Sequence, residues 1–439
     1  MSTNTIVSQS TPYGFSAIAI IRLSGKQALS IASKLSNNKV SLKHQKQTKR
    51  AVIVNNKKID VGLYTAFLSP RSYTGEDVVE ISCHGNIHVC EAIIKECQAL
   101  GARLAEPGEY TKRAFLNGKI NLLEAEAVAQ LISAKSIEAV EQQTKNISGG
   151  ITKKIKNIKD LLLSCLAHIE YELDVSEEPT IPKKTKDGIK NDLLFSLKEI
   201  ELLKTSFKTG SVFSSGIKIV FIGKPNVGKS TLANKILGVE KSITNKTPGT
   251  TRDLVSTETT MGGIPITFVD TAGIHKTKNE VEAEGIKRSL AETTTSDIIV
   301  SLFCHDIEVV DFKELKQIIF VYNKEDVKPY SGDNKSVFSV SAKNNTGVNR
   351  LVKHIKKRIG LLKKNSSEPL ITTIRQKDSI DNTHTNVSMA FNLFNENNQE
   401  TELVAYELRR SISNIDLFTG KTTTNDILDH VFSSFCVGK

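Results

Sequence analysis

Residues 223–230 read Gly-Lys-Pro-Asn-Val-Gly-Lys-Ser and stand between the apolar run 217–222 and a helix-forming stretch. This is the spacing of a phosphate loop. Its glycines let successive backbone N–H groups turn inward onto a polyphosphate, Lys229 meets the β- and γ-phosphates, and Ser230 holds Mg²⁺. Asn226, Val227, Gly228 and Thr231 line the rest of the loop and the first helical turn. Downstream, Asp270, Thr271, Ala272 and Gly273 close the run 264–269. A carboxylate there can hold Mg²⁺ through water, and the Gly273 N–H can meet a γ-phosphate. Asn323, Lys324 and Asp326 follow the run 318–322. The Asp326 carboxylate can accept two N–H bonds from the edge of guanine. Adenine offers no such pair, so the wrong base leaves that charge unpaired. Ser341, Ala342 and Lys343 end the last run and complete the guanine pocket. Motifs of this kind in this order predict a GTP-hydrolysing domain.

Position 274 is Ile, where many GTPases carry a glutamine that orients the attacking water. Another group must serve. The Asn226 side-chain carbonyl can hold a monovalent cation beside the phosphates, in the place of an arginine finger. Glu282 lies in the segment 275–284, close enough in sequence to reach back. By composition alone it also reads as one of three solvated acids, with Glu280 and Glu284.

The elements that must position these groups alternate. Runs 217–222, 264–269, 298–303, 318–322 and 337–341 read as strands and 231–237 as a helix. That predicts a parallel sheet flanked by helices. Before it, residues 1–117 read as a small α+β domain, with strands at 17–23, 51–54 and 78–83 and a helix at 87–100. From about 118 the chain turns helical. Ile147, Ile151, Ile155, Ile158, Leu162, Leu166, Ile169 and Leu173 recur in steps of three and four, one face of a long helix with a bend at Gly149-Gly150. The stretch 208–216 is expected to be a linker. Residues 369–439 are helical again and end on Ile427, Leu428, Val431, Phe432 and Phe435. The fold class is multidomain α/β. Its expected parts are an α+β domain (1–117), a helical domain (118–212 and 363–439) and a P-loop domain inserted into it (213–362).

Of 439 residues, 59 are Lys or Arg and 48 Asp or Glu, a net charge of +11, and 39% are apolar. That balance suits folded domains rather than a disordered chain. No apolar run approaches the ~20 residues that cross a bilayer. The first nine residues lack a basic-then-apolar leader. Six cysteines over this length suit a reducing compartment, so a cytoplasmic location is expected. Cys83, His84, His88 and Cys90 lack the two separated ligand pairs of a zinc finger and are expected to bind no metal. The basic excess is uneven. Segment 26–59 holds nine Lys or Arg and no acid, and segment 145–159 holds five lysines. Such runs attract polyanions, nucleic acid first among them, or merely keep a face solvated. With no Trp and 6% aromatics, no stacking platform for single strands is apparent.

These motifs combine with Gly249-Thr250-Thr251-Arg252-Asp253, Tyr73-Thr74-Gly75-Glu76-Asp77 and the terminal Phe435-Cys436-Val437-Gly438-Lys439. Together they make the whole chain resemble the MnmE (TrmE/ThdF) family of tRNA-modification GTPases. The resemblance implies a Ras-like GTPase domain and a folate-binding, dimerising N-terminal domain. It implies a homodimer working in a heterotetramer with an MnmG-type protein that uses FAD and NADH. Together they would place an aminomethyl or carboxymethylaminomethyl group on the 5-position of wobble uridine in tRNA. The carbon would come from 5-formyl- or 5,10-methylene-tetrahydrofolate. By resemblance, Glu282 is the hydrolytic glutamate. Asn226, Asn245, Thr247 and Thr250 fall on K⁺-binding positions, and Ser230 and Thr251 on Mg²⁺-binding ones. Lys246, Pro248 and Gly249 belong to the same GTP-binding loop. Arg22, Glu80, Lys119 and Lys439 fall on the folate site, near which the family also places Cys436. Position 245 is usually Thr in the family, but the Asn amide carbonyl can still bind a cation. His275 stands where Arg is often found, and the stretch 303–318 is shorter than usual. The competing reading is a regulatory or ribosome-assembly GTPase whose N-terminal domain is a folate-like docking module.

Overall fold

The structure is a computed structural model. It describes residues 4–37, 42–175, 182–224, 226–239, 255–270, 296–305, 318–332, 334, 336–362, 368–395, 401–422, 424–433, 435, 436 and 438. Residues 1–129, 147–152 and 412–439 form one compact unit, and 130–146 with 153–411 form another.

In the first unit, β1 (Ile6–Gln9), β2 (Ser16–Ser24), β3 (Gln47–Val54), β4 (Lys57–Phe67), β5 (Val78–Gly85) and β6 (Arg103–Leu104) build a sheet in the order β3-β4-β5-β2-β1-β6. Its pairs are antiparallel except β1 with β6. Alternation sends Val79, Ile81 and Cys83 of β5 inward together with Ala19, Ile21 and Leu23 of β2. Helices α1 (Ala28–Leu35) and α2 (Ile87–Ala99) cover that face with Ile31, Leu35, Ile93 and Cys97. The Asn86 side chain caps α2 by accepting the His88 N–H. Cys83 and His84 therefore face opposite ways. Burial pushes the Cys83 thiol up to about 12, while exposed His84 bonds Asp60 at 2.7 Å. Helices α3 (Glu109–Leu116) and α4 (Leu122–Ser133) follow.

In the second unit, all but the last residue of α5 (Ile137–Ile147), α6 (Gly150–Val175) from Lys153 on, and α7 (Lys183–Ser215) lead into β7 (Ile217–Ile222) and α8 (Lys229–Val239). Strands β8 (Val255–Met261), β9 (Ile264–Asp270), β10 (Ile298–Phe303), β11 (Ile318–Tyr322) and β12 (Phe338–Ser339) complete a sheet ordered β12-β11-β10-β7-β9-β8. It is parallel apart from the β8 edge. β7 is buried on both faces: Ile219 and Phe221 join one apolar cluster, Val220 and Ile222 another. Helices α9 (Val348–Leu362), α10 (Ile374–Asn395) and α11 (Thr401–Thr419) follow, and α12 (Asn425–Ser433) ends the described helices. Leu428, Phe432 and Phe435 of the predicted terminal stripe pack in the first unit with Leu122 and Ala125.

Helix α7 lies along α10. Buried Ile189, Leu193, Ser196, Ile200 and Leu203 recur in steps of four and three, the spacing of a helix–helix seam. The two helices flank the α/β layer in sequence, so that layer is inserted between paired helices, as expected. The linker expected at 208–216 is overturned, because α7 runs through to Ser215. A Cβ on Gly210 would lie 2.0 Å from the Ile371 carbonyl oxygen, so this glycine permits close approach instead of flexibility. Val212 and Phe213 beside it are buried. The turn is confined to Gly216, at φ +74°. The bend at Gly149 is present, with φ +79°, and leaves Ile147 on α5 rather than α6. Strands β1, β4, β6 and β8 were not expected, and β3 begins at Gln47 instead of 51. Two of the sheet edges are rich in Thr, Lys and Arg and hide the apolar alternation. The strand expected at 337–341 shortens to Phe338–Ser339. Among the described residues, no helix is long and apolar enough to cross a membrane.

Candidate functional site

The phosphate loop leaves the middle of its sheet from the C-terminal end of β7. Gly223 has φ +148°, and a Cβ there would lie 2.3 Å from the Leu302 carbonyl oxygen; at Gly228, φ +95°, it would lie 2.4 Å from Asn323 Nδ2. Neither position tolerates a side chain. Asn226 is exposed and left-handed, at φ +63°, a conformation Asn accepts more readily than most residues. Lys229 is buried, and its Nζ donates to the Gly223 and Lys224 carbonyls at 2.7 and 3.1 Å. The loop thus holds a fixed positive charge at the start of α8, where the helix N-terminus adds its own partial charge. Ser230 and Thr231 are exposed in that first turn. Asp270 is paired in register with Phe221, next to the end of β7, so β9 ends beside the loop. The Ser230 hydroxyl is an oxygen donor of the type that Mg²⁺ prefers.

The loops expected to hold guanine are fastened to the phosphate loop by one side chain. Buried Asn323 donates from Nδ2 to the Val227 carbonyl at 2.8 Å and accepts the Ala342 N–H at 3.0 Å. Further bonds join the loops after β11 and β12: Glu325 N–H to the Val340 carbonyl at 3.2 Å, and Val340 N–H to that of Tyr322 at 2.8 Å. Lys324 is left-handed, at φ +66°. Exposed Asp326 has its pKa lowered, first by a hydrogen bond from Ser341 and then, against slight burial, by the charges of Lys343 and Lys324. It is therefore ionised and ready to accept two N–H donors. Ser341 and Ala342 are buried beneath it, while Lys343 is exposed.

A second polar constellation lies in the first unit. Arg22 on β2 and Glu80 on β5 are cross-strand partners. Arg22 donates from Nε and Nη2 to Glu80 Oε1 at 2.9 and 2.8 Å, and from Nη1 to the Gly438 carbonyl at 3.2 Å. The C-terminal tail is thereby drawn onto the sheet. Gly438 packs so closely that a Cβ would lie 2.6 Å from the Gln9 carbonyl oxygen, and the Ser10 hydroxyl donates to its carbonyl at 3.3 Å. The Arg22 guanidinium lies 5.6 Å over the Tyr110 ring. Lys119 Nζ donates instead to the Pro70 carbonyl at 3.0 Å. That places it on the loop carrying Tyr73, whose hydroxyl feels the Arg22 charge although burial raises its pKa overall. Exposed Cys436 offers its carbonyl to the Gly108 N–H at 3.5 Å.

The Tyr73–Asp77 motif proves to be a hydrogen-bonded knot centred on buried Thr74 and half-buried Glu76. Glu76 accepts Arg113 at 2.8 Å and the Ser24 hydroxyl at 2.7 Å, and Ser24 meets Thr74 at 2.8 Å. Arg113 also pairs with Glu109 at 3.0 Å. Burial opposes ionisation of Glu109, but Arg103, the Glu106 N–H and Arg113 together lower its pKa. Tyr110, Arg113 and Glu109 were not anticipated. Their only signal was a dense charged segment, Glu106–Arg113, before the helical region. Of the predicted residues, Asn245, Lys246, Thr247, Pro248, Gly249, Thr250, Thr251, Thr271, Ala272, Gly273, Glu282 and Lys439 lie outside the described residues.

A phosphate loop at the centre of a mainly parallel sheet, stapled through Asn323 to the loop that carries Asp326, defines a P-loop GTPase with a Ras-like domain. Residues 122–436 match the family described as MnmE helical domain, and residues 5–119 that described as GTP-binding protein TrmE N-terminus. The tRNA modification GTPase MnmE of Fervidobacterium nodosum is 36% identical over 458 residues, covering 100% of this chain and 98% of that protein. Its counterpart in Francisella philomiragia is 37% identical over 458 residues, 99% of each chain. Among solved structures, Era in complex with MgGDPNP and nucleotides 1506–1542 of 16S ribosomal RNA aligns with 22% identity and a TM-score of 0.26, over 38% of this chain and 66% of that one. That overlap is too loose to argue from. The chain belongs to the MnmE family.

Proposed function

We propose that GTP hydrolysis by this chain drives modification of the 5-position of wobble uridine in tRNA, jointly with an FAD-dependent MnmG-type partner and a one-carbon folate. The observation that carries this reading is the pairing of two sites in a chain whose whole length matches tRNA modification GTPases. One is the Asn323-stapled nucleotide pocket, the other the tail-closed Arg22–Glu80 constellation.

In the first site, Lys229 and the α8 N-terminus bind the phosphates while Asp326, with Ser341 to Lys343, selects guanine. Ser230 and Thr251 would hold Mg²⁺, which when bound offsets negative charge on the phosphates. With Ile at 274, we assign orientation of the attacking water to Glu282. The missing positive charge is assigned to K⁺ held by Asn226, Asn245, Thr247 and Thr250. The exposed, left-handed Asn226 supports that assignment. In the second site, Arg22, Lys119 and Lys439 would supply cations for the carboxylates of a folate, and Glu80 an acceptor for its ring edge. A homodimer and the parts 1–117, 118–212, 213–362 and 363–439 belong to the same reading.

Mass spectrometry of wobble uridines in tRNA from cells lacking the protein tests it. The aminomethyl or carboxymethylaminomethyl group should disappear and return with the wild-type gene but not with Lys229→Ala. Intact modification in the deletion would refute the reading, and defective ribosome particles in its place would support the ribosome-assembly alternative. Equal hydrolysis rates in K⁺ and Na⁺ at saturating GTP would remove the cation from the scheme.

A further inference from the structure

Helix α9 carries a face that the nucleotide site does not use. Residues 348–362 include Arg350, Lys353, Lys356, Lys357 and Arg358 and no acid. The helix is sharply two-sided. Val348, Leu351, Val352, Ile355 and Ile359 are buried in the α/β core, and α9 packs beside α8. Arg350, Lys353, Lys356 and Lys357 are exposed, and Arg358 is half-buried. Among the described residues, no carboxylate pairs with Lys353, Lys357 or Arg358.

Like charges three and four residues apart, as in Arg350, Lys353 and Lys357, work against the helix they sit on. A face kept only for solubility mixes both signs and avoids that cost. Part of the cluster is also held in place. The Arg350 guanidinium lies 5.7 Å over the Phe338 ring, which packs 4.7 Å from the ring of His354. Burial, then the charges of Arg358 and Lys357, lower the His354 pKa, so that ring is neutral at pH 7. A basic two-sided helix can also lie on an anionic membrane, but it does so through its apolar stripe. Here that stripe is committed to the core. The exposed face of α9 sets cations one helical turn, about 5.4 Å, apart, which suits a repeating phosphate backbone.

We propose that the exposed face of α9, centred on Arg350, Lys353 and Lys357, docks the phosphate backbone of the RNA substrate. This rests on the tRNA reading above. Contact through phosphates positions the RNA and carries no sequence preference of its own.

The test uses the full-length protein, an unmodified tRNA transcript and fluorescence anisotropy across a salt series. Each lost phosphate contact should flatten the slope of log affinity against log salt by roughly 0.7 to 0.9. Lys353→Glu with Lys357→Glu should therefore flatten it by about 1.5 and weaken binding roughly tenfold or more near physiological salt. Lys353→Arg with Lys357→Arg should bind like wild type, and GTP hydrolysis without tRNA should be unchanged in both. Wild-type affinity and slope in the double Glu variant would overturn the proposal. So would loss confined to Lys57→Glu with Lys58→Glu, which would move the contact to the β3–β4 hairpin. Failure of the wild type to bind tRNA at all would also overturn the proposal, whereas the tRNA reading itself falls only if wobble modification survives the deletion.

Discussion

Asn323→Ala tests the idea that one amide makes the phosphate loop and the guanine loops a single site. Asn323 is 3% exposed and makes two main-chain hydrogen bonds, to the Val227 carbonyl at 2.8 Å and from the Ala342 N–H at 3.0 Å. Truncation orphans both groups, and each buried orphan costs about 1–3 kcal/mol. The sum is about 2–6 kcal/mol, reduced where water can enter the space left behind. On the proposed reading GTP touches both loops, so bound nucleotide would have to reassemble what the amide no longer holds. Even about 2 kcal/mol appearing in binding corresponds to roughly 30-fold in Kd. Asn323→Asp keeps the acceptor for Ala342 but sets a carboxylate oxygen against the Val227 carbonyl, so it should be no better than Ala. Equilibrium titration with a fluorescent GTP analogue, beside urea unfolding of the same variants, reads both parts of the loss. A Kd within twofold of wild type together with unchanged stability would refute the staple.

Gly210→Ala should destabilise the protein in urea by a few kcal/mol, although Ala is favoured over Gly in a helix by about 1 kcal/mol; the reason is the 2.0 Å clash with the Ile371 carbonyl oxygen, and a stabilised variant would contradict it. Asp326→Asn should weaken GTP and improve binding of xanthosine triphosphate in competition titrations. Because the Asp326 pKa is lowered, its carboxylate stays charged down through the usual carboxylate range, so GTP affinity should hold as the pH falls from about 8 to about 4 and be lost only in stronger acid; a loss on raising the pH would contradict this. Arg22→Ala, and separately removal of residues 436–439, should weaken tetrahydrofolate binding by tenfold or more in calorimetry and leave GTP hydrolysis intact. Undiminished folate binding in both would show that the Arg22–Gly438 contact does not build the pocket.

The sequence alone was enough for the phosphate-loop motif at its strand–helix junction and for the fold class, an α+β part, a helical part and an inserted P-loop part. Each depends on residues that are contiguous or one element apart. A glycine with φ above zero, a lysine reaching the loop it follows and an acid at a strand end are short-range requirements. The run of α9, 15 residues without an acid, was not among the basic segments singled out in the sequence, and its exposure on one face came only from the structure. What the tertiary structure decided is of another kind. Asn323 and Val227 are 96 residues apart, and Arg22 and Gly438 are 416 apart, so no local pattern announces that they touch. Composition also misread Lys208–Gly216, because Ser, Thr and Gly favour a turn only when nothing else is gained by helix. There α7 has a partner to lie against, and burying Val212 and Phe213 beside a glycine that lets the 371 backbone approach outweighs the local preference. Propensity acts over a few residues and packing over the whole chain, and where the two disagreed in this protein, packing prevailed.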